Sequence, residues 1–224
     1  GVAIATAIFD GLGIEIMRTS SGALREGVIY DLLGRLGHED VRERTIRAMV
    51  SRYGADTAIA SLVASRVRFL AEAAADAWAL NSNDIDCLAW AARCHEIGVA
   101  ISQKHYNRHS AYLLRYSDMP GFSQREQETM ATLVRGHRGK LKAEIFLDAA
   151  DRERSKIQRM LALLRIAVLF KHVEELETLE DFRVRVKDST VTITFPPGWR
   201  DSHPLTSKEI DDSRSAIKKL GVML

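Results

Sequence analysis

Apolar residues with helical spacing dominate the middle of this 224-residue sequence, from about residue 39 to about residue 177. Within this stretch, Ile85–Ile97 is apolar on nearly all sides, which predicts a central, fully buried helix. An S-x-x-E capping box at Ser123–Glu126 predicts the start of another helix. A long amphipathic helix is predicted over Ser155–Glu177. These segments together predict a mainly α core.

Both ends of the sequence depart from this helical spacing. The opening predicts a helix at Val2–Leu12, a strand at Ile14–Arg18 and a helix at Ala23–Leu36, which is α/β in type. Near the other end, Phe182–Val186 and Thr190–Phe195 alternate with period two, a pattern typical of a β-hairpin. A final helix and a short last strand are predicted after it. The helical part therefore lies between two smaller pieces that contain strands.

The composition excludes several classes of protein. Lys and Arg number 32 against 30 Asp and Glu, and a net charge of +2 is too balanced for general binding to nucleic acid or membranes. We find no apolar run long enough to span a bilayer and no recognisable signal peptide. Cys87 and Cys94 lie seven residues apart on one predicted helix, too far to form a disulfide. We therefore expect a reduced, cytoplasmic protein.

Histidines are concentrated in the segment 88–140. Four of the seven lie there, each on or beside a stretch with helical spacing: His95, His105, His109 and His137. Packing these helices together would gather imidazoles beside Glu96, and such groups are typical of a divalent metal site or a phosphate-handling site. Histidines at helix ends are also ordinary caps and core residues, and no tightly spaced ligand motif such as HExxH or CxxC is present. For a metal site, the interpretation as caps and core residues is therefore favoured.

Basic residues flank the same helices: Lys104, Arg108, Arg135, Arg138, Lys140 and Lys142. Arg binds phosphate oxygens in a bidentate manner, and Lys binds them as a point charge. Each residue taken singly is more simply a solvated one, since 28% of the chain is charged. The cluster is a stronger signal than its members, because acidic residues are few between Arg135 and Lys142. Phosphate binding and a solvated surface both stay open for it.

Several blocks of the sequence carry a resemblance to a known family. They are ALREGVIYDLLGR, HEDVRERT, RYGAD, LAWAARCHEIGVAIS, HSAYLLRYSDMPGFS and ATLVRGHRGKL, with weaker likeness in LALLRIAVLF, TITFPPGW and PLT. In this order they resemble the C-terminal half of the exopolyphosphatase / guanosine pentaphosphate phosphohydrolase (Ppx/GppA) family. The resemblance covers the chain from its start to at least Leu141. It implies a pair of actin-like α/β lobes followed by a helical domain similar to HD-type phosphohydrolases.

The resemblance implies a division of this chain into three parts. Residues 1–34 would be a remnant of the second actin-like lobe, residues 35–177 an HD-like helical domain including its long final helix, and residues 178–224 a small α+β unit with a β-hairpin. The phosphate-binding glycine loops and the catalytic carboxylate of the family lie in its actin-like half. No Gly-rich phosphate loop occurs in this sequence. We therefore expect a missing N-terminal half and no catalytic residue in this part.

The HD-type resemblance centres on four residues: His95, Glu96, His109 and His137. In active HD phosphohydrolases, histidines and an aspartate hold a divalent metal that activates water. Here Glu96 stands in place of that aspartate, and the segment SLVASRVRFLAE lacks an earlier histidine. We expect no metal at this cluster, and for Glu96 a helix-end hydrogen bond or an ion pair with Arg108 or Arg138. For the parent enzyme the resemblance implies a divalent metal, expected to be Mg²⁺.

Two functions from different classes follow. In the first, the parent enzyme is an exopolyphosphatase that removes terminal phosphate from inorganic polyphosphate, with guanosine pentaphosphate as a further candidate substrate. This fragment, inactive alone, would support a homodimer and bind polyphosphate through a set of candidate residues: Lys104, Arg108, His109, Arg135, His137, Arg138 and Lys140. The alternative is an independent, metal-dependent HD-like phosphohydrolase acting on a nucleotide or a small phosphate ester. A purely structural domain is the third interpretation.

Overall fold

The computed structural model describes residues 2–14, 16, 40–146, 151–173 and 182–224. The chain divides into two compact units, Gly1–Glu39 and Asp40–Leu224. In the first unit the predicted opening helix is confirmed as α1, Val2–Leu12. The predicted helix at 23–36, and all but two residues of the predicted strand at 14–18, lie outside the described residues. The three-part division of the chain stays a prediction.

The described part of the second unit is mainly helical, as the sequence predicted. Its helices are α2 Val41–Arg52, α3 Thr57–Trp78, α4 Ser82–Arg93, α5 Tyr106–Tyr116, α6 Gln124–Gly136, α7 Asp151–Leu169, the short α8 Trp199–Ser202, and α9 Pro204–Lys218. Two 3₁₀ turns, Ile97–Ala100 and Ala143–Phe146, flank the α5–α6 pair. Strands β1 Arg183–Lys187 and β2 Thr190–Thr194 form an antiparallel sheet. None of the described helices is both long and apolar enough to cross a membrane.

Local capping explains where the helices begin. Asp56 accepts hydrogen bonds from the backbone N–H groups of Ala58 and Ile59 at the start of α3. The predicted capping box before α6 is confirmed, because Ser123 and Glu126 each accept from the other's backbone N–H. Such reciprocal bonds satisfy donors that have no partner within the helix. The side chains before the helices therefore set their starting points.

Helix α4 lies at the centre of the core, as predicted. Every residue in its stretch Cys87–Ala92 is buried, so the helix is covered on all sides. Helices α2, α3, α6 and α7 all contact it. Helix α7 carries a similar run, because Met160–Leu164 is fully buried. The apolar face of α7 is thus used inside the chain, which agrees with core packing as the simplest role for this helix.

Helix α7 ends earlier than the sequence predicted. The amphipathic pattern extends to Glu177, but the helix ends at Leu169. Beyond this end, buried Arg66 of α3 donates hydrogen bonds to the carbonyls of Phe170 and Val173, the latter at 2.5 Å. A partner about one hundred residues away in sequence therefore satisfies backbone groups that a longer helix would have paired internally.

The predicted hairpin is confirmed, with Arg183 opposite Thr194 and Lys187 opposite Thr190. Its inner side chains join the same apolar core as the helices. The indole N–H of Trp78 donates to the carbonyl of Asp188 in the turn, at 2.6 Å, which fixes the hairpin to the end of α3. The predicted last strand is reduced to a single parallel bridge between Thr190 and Met223.

Candidate functional site

The histidine region is built by a sharp change of direction after α4. The sequence predicted a helix to Ile97, but α4 ends at Arg93 and a turn leads into the 3₁₀ segment. This segment packs tightly on α5 at Gly98, where an added Cβ would lie 2.3 Å from both the Ser110 nitrogen and the Tyr106 oxygen. The Gly98 N–H also donates to the Ser110 hydroxyl at 2.7 Å. This close approach places the residues after α4 against α5.

His95 and His137 meet in the interior. Their ring centroids lie 5.3 Å apart at an angle of 84°. The Nδ1 of His95 lies 2.6 Å from the Ala92 carbonyl, and that of His137 lies 2.7 Å from the Val134 carbonyl. Since a carbonyl only accepts, Nδ1 carries the proton in both rings, and both Nε2 atoms are buried without a hydrogen-bond partner. Burial lowers the pKa of both imidazoles, that of His137 strongly, so the pair is neutral.

Glu96 is held by a different partner from the one predicted. Its carboxylate lies 2.8 Å from the ammonium of Lys171, just after α7, rather than against Arg108 or Arg138. Burial opposes ionisation of Glu96, but Lys171 outweighs it and the pKa of the carboxyl is lowered. The guanidinium of Arg138 lies instead over the ring of Tyr106, 4.4 Å from its centroid. The predicted ion pair of Glu96 with an arginine was therefore wrong.

The residues of the HD-like cluster do not fit a metal. His95 and His137 are in ring contact, and Glu96 lies 3.8 Å from the Nε2 of His95. The carboxylate is already occupied by Lys171, and His109 makes no ring contact or ion pair with the other three in the described part of the chain. The described residues contain no group of three or more His, Cys, Asp or Glu side chains placed to hold a metal ion. We therefore assign no metal to this cluster.

A cavity of about 440 Å³ opens beside α5, the end of α6 and the segment after it. Among the described residues that line it, Glu144 is the one acidic side chain. Six lining side chains are arginines or lysines: Arg108, Arg115, Arg135, Arg138, Lys140 and Lys142. We call this the basic cavity. Burial, and then the nearby charges of Arg108 and Arg115, lower the pKa of Arg135, while Glu144 acts in the opposite direction.

Four of the predicted phosphate-binding residues line the basic cavity: Arg108, Arg135, Arg138 and Lys140. The other three lie outside its lining. His137 is only 3% exposed and faces His95, while Lys104 and His109 lie at the start of α5 without reaching the cavity wall. The candidate role of His137 in direct polyphosphate binding is therefore not compatible with its burial.

Sequence reasoning missed Arg115 and His105 as lining residues. Arg115 is seven residues after Arg108, which places both on one face of α5, and this spacing could have indicated it. Arg115 also donates two hydrogen bonds to Glu128 of α6, one of them at 2.8 Å. Nothing in the local sequence around His105 distinguishes it from other exposed histidines.

The walls of the basic cavity are fixed by buried polar contacts. Asn107 donates to the Arg135 carbonyl at 2.7 Å, which joins α5 to α6. Arg165 of α7 donates to the Gly136 carbonyl at 2.5 Å and to the Gly139 carbonyl at 3.0 Å. These contacts hold the segment that carries Arg138 and Lys140 in one place. The arrangement can bind an anion with several negative charges.

Comparison with known proteins identifies the family. The sequence model described as Ppx/GppA phosphatase, domain III, matches residues 41–214. The chain belongs to the Ppx/GppA phosphatase family. This confirms the family suggested by the sequence blocks, and it covers both the buried histidine pair and the basic cavity.

Curated relatives in the Ppx/GppA family agree with this result. The chain is 38% identical over 222 residues to a protein of Pseudoalteromonas translucida named "Guanosine-5'-triphosphate,3'-diphosphate pyrophosphatase", covering 99% of the chain and 44% of the relative. Proteins of the same name from Photobacterium profundum and Vibrio cholerae are 31% and 35% identical, over 99% and 94% of the chain and 44% and 42% of each relative. The chain thus spans less than half the length of these Ppx/GppA relatives.

Proposed function

We propose that this chain is the C-terminal portion of an exopolyphosphatase or guanosine pentaphosphate phosphohydrolase, and that its basic cavity binds the phosphate chain of the substrate. The observation that carries the proposal is the charge of the cavity, whose described lining has six basic side chains and the acidic Glu144, with Arg115 alone of the six bonded to a further carboxylate, that of Glu128. Arg108, Arg135, Lys140 and Lys142 make no ion pair with any carboxylate in the described part of the chain. Positive charge without internal partners favours an anionic ligand from outside.

Inorganic polyphosphate suits this cavity because each of its phosphate units carries negative charge. Guanidinium groups bind phosphate oxygens in a bidentate manner, and several arginines at one place can hold neighbouring phosphates together. The cavity walls are set by hydrogen bonds to the backbone carbonyls of Arg135 and Gly136, so the backbone that carries the cavity's arginines is positioned before the ligand arrives. Such preorganisation reduces the conformational entropy lost on binding.

In this proposal, hydrolysis takes place in an N-terminal actin-like half. Such a half is compatible with the length of the relative from Pseudoalteromonas translucida, of which this chain covers 44%. Water would attack the terminal phosphoryl group there, with a carboxylate as base and a divalent metal, expected to be Mg²⁺, neutralising charge on the phosphates. The residues that would hold this metal belong to that half. We further propose that the parent protein acts as a homodimer in the cytoplasm and that this part alone is inactive.

A binding measurement tests the proposal. Titration calorimetry with long-chain polyphosphate at moderate salt compares the wild-type protein with the triple variant Arg135→Ala, Arg138→Ala, Lys140→Ala. We expect the variant to bind at least about tenfold more weakly, since each charged hydrogen bond contributes on the order of 1.5–3 kcal/mol. Circular dichroism confirms that the variant is folded.

The β-hairpin offers a control of matched charge. Arg183, Arg185 and Lys187 are exposed and lie outside the basic cavity, so their triple substitution by alanine removes the same charge elsewhere. We expect this control to lower the affinity less than about threefold at moderate salt, because exposed charges at a distance are screened. Equal losses in both variants, or no binding by the wild-type protein, would reject the cavity as the polyphosphate site.

A further inference from the structure

Two tyrosines of α5 are exposed side by side. Tyr112 is 59% exposed and Tyr116 is 69% exposed, and their ring centroids lie 4.8 Å apart. Among the described residues, ten large apolar side chains are exposed, and the aromatic ones are Tyr112 and Tyr116. Aromatic rings are normally buried for the area they remove from water, so an exposed pair needs an explanation.

The tyrosine pair lies next to the basic cavity on the same helix. Tyr112 follows Arg108 by four residues and precedes Arg115 by three, and both arginines line the cavity. At about 100° per residue, Tyr112 is within about 60° of both arginines around the helix axis, and within about 6 Å of each along it. The exposed rings therefore begin one helical turn from the cavity wall.

We propose that Tyr112 and Tyr116 bind the base of a nucleoside polyphosphate whose phosphate groups occupy the basic cavity. This inference rests on the function proposed above and assigns the residues that would contact the base. The rings are too close for a base to enter between them, and their planes are tilted by 49°, so the base stacks on the exposed face of one ring and contacts the other at its edge. The ribose spans the single helical turn between this face and the arginines.

Charge complementarity selects this occupant. A ligand that covers the tyrosine pair also lies one helical turn from Arg108, so a planar group linked to phosphates satisfies both features, whereas a purely apolar partner satisfies one. Stacking on aromatic side chains accepts any base, because every base has a π-face. Inorganic polyphosphate has no planar group, so the pair distinguishes nucleotides from bare phosphate chains.

The test compares two ligands with the same triphosphate. Calorimetry measures the affinities of GTP and inorganic tripolyphosphate for the purified wild-type protein and for the double variant Tyr112→Ala, Tyr116→Ala. We expect the wild-type protein to bind GTP about tenfold more tightly than tripolyphosphate. In the alanine variant this ratio falls to about one, while the affinity for tripolyphosphate changes less than about twofold.

The variant Tyr112→Phe, Tyr116→Phe is the matched control. It keeps both rings and removes only the hydroxyls, so we expect it to retain most of the GTP preference. Loss of the preference in the phenylalanine variant as well as the alanine variant would reject stacking as its cause.

Other outcomes separate this inference from the proposed function. Equal affinity of the wild-type protein for GTP and tripolyphosphate overturns the base contact and leaves the cavity proposal standing. Absence of tripolyphosphate binding, with GTP binding that depends on the tyrosines, overturns the cavity proposal instead. A change of oligomeric state in the alanine variant, measured by size-exclusion chromatography with light scattering, identifies the face as a protein interface and overturns the inference. Tighter tyrosine-dependent binding to single-stranded nucleic acid than to GTP also overturns it.

Discussion

His95 and His137 lie edge to face in the core, and each holds a backbone carbonyl through Nδ1 while its Nε2 is buried without a partner. This arrangement requires both rings to be neutral. A second proton on either ring would place a charge among residues that offer it no hydrogen-bond acceptor at Nε2. Among the described residues, the carboxylate that lies near the pair is that of Glu96, 3.8 Å from His95, and it is already bound to Lys171.

We predict that the protein loses stability as the pH falls below about 6.5. The folded-state pKa of both histidines is lowered by burial, so the unfolded chain binds protons that the folded chain does not. Their contribution is fully present above the unfolded pKa of about 6.5 and decreases by up to about 1.4 kcal/mol per pH unit for each histidine below it. Urea unfolding between pH 5 and pH 8 measures this slope.

The exposed His172 provides a control for this slope. His137→Gln removes one of the two buried titrating groups, so we expect it to reduce the slope, whereas His172→Gln removes an exposed histidine and should change the slope much less. A slope that is the same in the wild-type protein and in His137→Gln would contradict the assignment of the pH dependence to the buried pair.

The ion pair between Glu96 and Lys171 should be coupled energetically. Both side chains are largely buried, with 18% and 22% exposed, so removing the cation leaves a carboxylate short of a partner. We predict that Lys171→Met lowers the free energy of unfolding by about 1–2 kcal/mol and raises the pKa of Glu96. The double variant Glu96→Gln, Lys171→Met should recover part of this loss. Additive effects in this double-mutant cycle would show that the pair contributes no coupling.

Local signals in the sequence were sufficient to predict much of the fold. The capping box at Ser123–Glu126, the all-round apolar character of α4 and the period-two hairpin all act over a few residues, and the structure contains each of them. The basic cluster was also recognisable, because Arg135, Arg138 and Lys140 are close in sequence as well as in space.

Contacts between distant residues were not predictable in this way. The partner of Glu96 is Lys171, 75 residues later, and no local pattern marks it. The end of α7 depends on Arg66, more than one hundred residues earlier. Helix α4 ends at Arg93, and the chain then turns so that Gly98 contacts α5. A helix that continued to Ile97 would not have allowed this contact. Each of these features is decided by tertiary packing, which overrides helical propensity.

Gly98 provides a direct test of that packing. Its position leaves no room for a Cβ, because the nearest atoms, the Ser110 nitrogen and the Tyr106 oxygen, are backbone atoms that cannot move independently. We predict that Gly98→Ala lowers the free energy of unfolding by about 3 kcal/mol or more through overpacking. Denaturant unfolding followed by circular dichroism measures the change.

Gly54→Ala is the appropriate comparison for Gly98→Ala. Gly54 has a φ of +60° but no atom within 4 Å of an added Cβ, so its substitution introduces backbone strain without a steric clash. We expect a loss of only about 1–2 kcal/mol there. A smaller effect at Gly98 than at Gly54 would mean that the 3₁₀ segment does not pack on α5 as described.

Arg165 should control the basic cavity without touching its ligand. It is 8% exposed and does not line the cavity, yet it donates to the carbonyls of Gly136 and Gly139, which flank the segment carrying Arg138. Burial lowers its pKa to about 10, so it stays charged at neutral pH. We predict that Arg165→Met lowers the free energy of unfolding by about 2–3 kcal/mol, because two carbonyls lose their donor.

The same substitution should weaken polyphosphate binding by about fivefold, or ~1 kcal/mol, since the segment carrying Arg138 is no longer fixed. Arg165→Lys should rescue neither effect well, because a single ammonium lacks the planar fork that reaches both carbonyls. Arg159→Met on the same helix is the control: Arg159 lies 5.7 Å from the ring centroid of Trp78, away from the cavity, so its removal should leave binding unchanged. Equal losses of affinity in Arg165→Met and Arg159→Met would indicate that helix α7 contributes only general positive charge, and Arg165 would then have no positioning role.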